Sequence, residues 1–150
     1  MAVATVDNVK TRLELLADAA VTTLLSGTEY TIAKSTLPAV EARPRAATNE
    51  RHGGTGRLVT REWELWLFVR ELTNPEDPAD VLPALEACHA HLETVPDYFA
   101  ARPRLQKADM SDPLVYGTTF LDDSGPVTSP YKGKEYACVR FTFQVLTMRP

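Results

Sequence analysis

Between Thr5 and Leu25 the apolar residues Val9, Leu13, Leu16, Ala20 and Leu24 recur at steps of three or four, while Lys10, Arg12, Glu14 and Asp18 take the other faces. This spacing predicts an amphipathic helix laid on a sheet. Thr5 or Asp7 can accept the free amides of its first turn, and Gly27 offers a left-handed stop. Further along, the period changes to two. Leu58 to Leu72 puts Val59, Trp63, Leu65, Leu67 and Val69 on one face and Thr60, Glu62, Glu64, Trp66, Phe68 and Arg70 on the other. That alternation predicts a strand of roughly 50 Å, long enough for one end to project as an arm. Its second face turns from polar to aromatic, so a helix or a partner subunit is expected to cover its far half.

Shorter signals complete the chain. Tyr30 to Lys34 and Leu37 to Ala42 read as short extended pieces, the second entered through Pro38. Residues Arg43 to Arg57 lack apolar periodicity and contain Gly53, Gly54 and Gly56, which predicts a flexible connection. A second helix is expected from a cap at Asp80, with Val81, Leu85, Cys88, Leu92 and Val95 inward and Pro96 ending or resetting it. Leu114 to Leu121 reads as a strand, Asp122 to Pro126 as a turn, and Glu135 to Met148 as a closing strand with Ala137, Val139, Phe141, Phe143 and Val145 inward. Helix, strands, helix, strands is the order of a single α+β domain: two main helices on one face of an antiparallel or mixed sheet, with an extended hairpin arm.

Composition agrees with this. The chain has 150 residues, 44% apolar and 24% charged, with a net charge of −4, which suits one globular domain and excludes a disordered polypeptide. A chain of this length buries roughly two thirds of its unfolded surface and needs neither a disulfide framework nor a structural metal. No apolar run approaches the ~18 residues of a membrane helix. The start lacks the basic and apolar stretches of a signal peptide, so assembly in the cytoplasm is expected. The charge is unevenly placed. Between Glu41 and Arg61, Arg43, Arg45, Arg51, Arg57 and Arg61 face only Glu41 and Glu50, a local +3 that leaves −7 for the rest. Such an arm suits a partner's carboxylates or the phosphates of DNA.

The residues that could carry catalysis do not converge. Cys88 and Cys138 lie fifty residues apart and read as buried thiols. His89 and His91 point about 200° apart on a helix and cannot share a metal in the i, i+4 manner. The glycines at 53, 54 and 56 lead into a strand, whereas phosphate loops lead into a helix whose N-terminus faces the anion. No Gly-x-Ser-x-Gly elbow is present, and Glu62, Glu64, Asp122 and Asp123 read as a solvated strand face and a turn. No catalytic residue, cofactor or metal is expected.

The whole chain resembles the tail-terminator and tail-completion proteins of long-tailed bacteriophages. The resemblance rests on the helix beginning Val6-Asp7-Asn8-Val9-Lys10-Thr11-Arg12-Leu13, the arm, and the strand Glu62-Trp63-Glu64-Leu65-Trp66-Leu67-Phe68-Val69. It continues through the exit Tyr98-Phe99-Ala100-Ala101-Arg102-Pro103 and the final strand from Tyr131 to Val145. It implies an α+β domain that assembles as a homohexameric ring, caps the tail tube, and meets the connector or neck of the capsid. DNA would pass through the lumen, and there would be no membrane partner. On this reading Arg43, Arg45, Arg51 and Arg57 reach a neighbour, while Trp66 and Phe68 help cover a helix or subunit contact. A head-tail connector or neck protein is the nearest alternative. A small ligand-binding domain or enzyme using His52, His89 or His91 with a carboxylate is the distant one.

Overall fold

The computed structural model describes residues 4–25, 39–52, 56–131 and 133–149. Its elements are α1 (Val6–Leu25), β1 (Ala39–His52), β2 (Gly56–Glu71), α2 (Pro78–His89), α3 (His91–Ala100), β3 (Gly117–Asp123), β4 (Val127–Tyr131) and β5 (Lys134–Arg149). All strand pairs are antiparallel, in the order β1-β2-β5-β3, and β4 pairs with the beginning of β5 on the side that β3 occupies further along. The α+β architecture expected from the alternation of periods is the one observed. The Tyr30 to Lys34 strand and the Gly27 stop lie outside the described residues.

One core joins the helices to the sheet. Val9, Leu13, Leu16 and Ala20 of α1 are buried as their spacing requires, together with Ala17 and Val21. They share a cluster with Trp63, Leu65 and Leu67 of β2 and with Val139, Phe141, Phe143 and Val145 of β5. A fully buried large apolar side chain contributes ~1.5 to 3 kcal/mol, so this inner face is the main source of stability. Thr5 caps α1 as expected, its Oγ1 accepting from the Asn8 amide at 3.1 Å.

Three expectations about the second helix need correction. The second helix is two helices that break at Ala90, giving three in all among the described residues. It starts earlier than predicted, because Asp77 accepts the Ala79 amide at 3.0 Å and Pro78 takes the first turn, where no amide hydrogen is needed. Pro96 does not end a helix but lies inside α3, and the buried side chains that follow the break are His91, Val95 and Phe99.

Residues 43–52, expected as an aperiodic connection, are strand. They pair with β2 from Arg43↔Glu64 to His52↔Gly56, with a register shift between Pro44 and Ala47. That shift resets the alternation, and the segment's arginines, threonine and asparagine hide the strand from a hydrophobic pattern. The hairpin does not stand alone, since β5 accompanies β2 as far as Arg57↔Arg149. β4 gave no signal of its own because Pro130 interrupts five residues with no apolar alternation.

Candidate assembly surface

The face of the sheet turned away from the helical core carries a linked set of charges and rings. Register places Glu41 opposite Trp66 and Arg43 opposite Glu64. Arg43 pairs with the Glu41 carboxylate, and its guanidinium lies 5.1 Å from the Trp66 ring centroid. Glu64 joins two partners: one oxygen accepts the Trp66 indole N–H at 3.1 Å and the other accepts Arg45 Nη1 at 2.7 Å. Exposed pairs of this kind contribute only about 0 to 1 kcal/mol each. Their effect is to hold Trp66 in one orientation and to cancel the charge around it.

Aromatic contact continues along the strand. Trp66 stacks on Phe68 at 6.3 Å, and Phe68 stacks on Tyr131 at 4.5 Å and meets Tyr136 edge-on at 5.8 Å. Phe68 is 1% exposed while Trp66 remains partly exposed. The cover expected over the far half of β2 is therefore supplied at Phe68 by tyrosines at the end of β4 and the start of β5. Tyr131 and Tyr136 escaped sequence reasoning because their meeting with Phe68 depends on how β4 turns back along β5.

The predicted arginines divide into two groups. Arg43 and Arg45 sit beside Trp66, each already paired with a glutamate. Arg57 instead lies on the other face at the far end of the sheet. There it lines a cavity of about 210 Å³ with Arg61, Val6, Val59, Trp63 and Thr147. Arg61 donates to the Arg45 carbonyl at 2.6 Å. Among the described residues neither Arg57 nor Arg61 has a carboxylate partner. Arg51 belongs to β1 opposite Arg57; its side chain lies outside the described set.

A second concave region, about 530 Å³, runs between α1 and the loop after α3, lined by Leu15, Leu16, Ala19 and Leu114 with Arg12 and Lys107 at its polar end. Three non-glycine residues of that loop, Leu105, Met110 and Asp112, have left-handed backbone angles, each costing roughly 1 kcal/mol or more. Arg12 pins two of them: Nη1 donates to the carbonyls of Leu105 at 2.7 Å and Asp112 at 2.8 Å, and Nη2 to the Asp112 carboxylate at 2.9 Å.

The remaining chemistry-bearing side chains lie apart. His91 is 1% exposed, neither ring nitrogen has a partner among the described residues, and burial pushes its pKa below the ordinary 6.5. His89 is exposed; the side chain of His52 is outside the described set. Burial, with Cys138 nearby, pushes the Cys88 thiol up to about 12, and burial, with Glu135 nearby, pushes Cys138 up to about 11. Among the described residues no group of three His, Cys, Asp or Glu side chains is placed to hold a metal ion.

Comparison with models of known protein families gave no match, and a search of curated protein sequences gave none either.

Proposed function

We propose that this chain is a structural virion protein of the tail-terminator kind, which assembles with copies of itself into a ring at the end of a phage tail tube and offers a surface to the head. The observation that carries the reading is a sheet that, among the described residues, ends in two different edges, β1 on one side and β3 with β4 on the other. A subunit with unlike flanks can join head to tail, the kind of contact that closes into rings. Among the described residues Glu14 covers one point of the β1 edge, its Oε2 accepting the Ala42 amide at 3.0 Å.

The charge-cancelled surface around Trp66 supports a protein partner. Arginines already engaged with Glu41 and Glu64 are poor ligands for phosphate, whereas a partly exposed tryptophan framed by neutralised charge suits a subunit contact. The chemistry that remains, two arginines without a carboxylate partner among the described residues and scattered buried thiols and imidazole, supports assembly over catalysis.

Light scattering on the purified protein, alone and with its tail-tube partner, tests the reading. Six chains of 16.6 kDa would give a ring of about 100 kDa; a monomer under both conditions would sink it. Electron microscopy of labelled particles separates the terminator from a connector or neck protein by placing the label at the tube end or on the head side.

A further inference from the structure

We infer that the Arg57–Arg61 cavity is a socket for a second copy of this chain, and that the plug is Leu121 with Asp122 on the β3 edge. The inference takes from the ring reading only that the partner is another copy.

The socket is an unusual piece of the sheet's inner face. Most of that face lies under helices, but beyond the start of α1 the described residues leave it open as the 210 Å³ cavity. Small-molecule pockets run from roughly 300 Å³ upward, so this one is small for a cofactor and suited to one aliphatic side chain. Val6 and Val59 supply the apolar part of its lining, and the larger polar part includes Arg57 and Arg61, which have no carboxylate partner among the described residues. An occupant must therefore join an apolar group to an adjacent carboxylate. A chain with −7 outside its basic segment has many carboxylates to offer, so the choice among them is decided by their neighbours.

The exposed leucines narrow that choice. Leu15 has Glu14 beside it, already paired with Lys10. Leu82 lies near Asp77 and Asp80, but Asp77 caps α2 and Asp80 accepts the Asn74 amide. Leu121 is 43% exposed and is followed directly by Asp122, whose side chain is 65% exposed and whose ion pair with Arg140, at 4.0 Å, is the longest among the described residues. Pairing with β5 passes from Phe120↔Phe143 to Asp122↔Thr142, so Leu121 is the extra residue of a bulge on an edge strand. Bulges break strict alternation and re-aim side chains; here one lifts a leucine and a carboxylate together on the edge opposite β1. Plug and socket are different patches of the same molecule, so the contact is head to tail.

Charge exchange tests the pairing. The full-length variants R57E, D122K and R57E/D122K would be compared with the native chain by sedimentation velocity, alone and with the tail-tube protein, after circular dichroism has verified folding. Both positions are at the surface, and neither takes part in the core. Each single variant is expected to weaken self-association at least ~10-fold, and the double variant to recover most of it. Raised salt should weaken the native contact as well. If the native chain forms rings and the single variants form them equally well, or the double variant is no better than the singles, the socket is wrong and the ring reading stands. If the native chain forms open chains or dimers that are lost and restored in this pattern, the socket stands and the ring reading fails. A native chain that stays monomeric in every condition overturns both.

Discussion

Arg12 and Asp112, one hundred residues apart, meet through both the side chain and the backbone: Arg12 Nη2 donates to the Asp112 carboxylate at 2.9 Å and Nη1 to its carbonyl at 2.8 Å. This contact ties α1 to a loop whose left-handed residues would otherwise relax.

Arg12→Ala should therefore loosen the loop more than it perturbs the sheet. Loss of the two carbonyl contacts, at Leu105 and Asp112, is expected to cost about 2 to 3 kcal/mol, since hydrogen bonds to a charged donor are among the stronger ones. Urea unfolding measures the total. Hydrogen exchange should rise first in residues 104–115; uniform acceleration across β2 and β5 would contradict a local latch.

Acid should act through His91 before it reaches the carboxylates. Because burial lowers the folded-state pKa of His91 below 6.5, the unfolded chain takes up the proton more readily. Stability is then full above about pH 6.5 and falls as the pH drops below it. Asp109 is held below its ordinary 3.8 by Ser111, and Asp112 by Arg12, so their contributions are lost only at lower pH, as each protonates. Unfolding free energies measured from pH 7 to pH 5 should show the decline, and His91→Leu should flatten it. A slope unchanged by that substitution would assign the acid sensitivity elsewhere.

Phe68 and Trp66, neighbours on one face of β2, should separate folding from assembly. Phe68→Ala removes a ring that is 1% exposed between two tyrosines and is expected to cost about 3 to 4 kcal/mol. Trp66→Ala removes a partly exposed ring and should cost about 1 kcal/mol, yet weaken self-association strongly. Thermal melts paired with light scattering distinguish these outcomes; equal effects of Trp66→Ala on melting and assembly would remove the contact role.

Cys88 and Cys138 should resist alkylation in the native protein. With pKa values of about 12 and about 11, no more than about one thiol in a thousand is ionised at pH 8, and both side chains are fully buried. Mass spectrometry after iodoacetamide treatment should find modification only in denaturant. Rapid native labelling at either site would show that the surrounding packing opens readily.

Regular periodicity in the sequence was enough to determine α1, β2 and β5, because each buries one continuous face and burial forces apolar residues to recur at the element's own period. Val9 to Ala20 and Trp63 to Val69 are legible for that reason. The second half of β1 was not, since its partner satisfies its backbone while its side chains stay polar, and a register shift erases the alternation. Glu64 looked like an ordinary solvated carboxylate. Only the pairing of β1 with β2 gives it Arg45 and Trp66 as partners. The division of the arginines likewise depends on tertiary structure: five similar residues in one basic segment leave Arg43 and Arg45 neutralised on one face and Arg57 and Arg61 without carboxylate partners, among the described residues, on the other. Charge along a chain is a one-dimensional sum, and the pleat of a strand sorts it onto two surfaces.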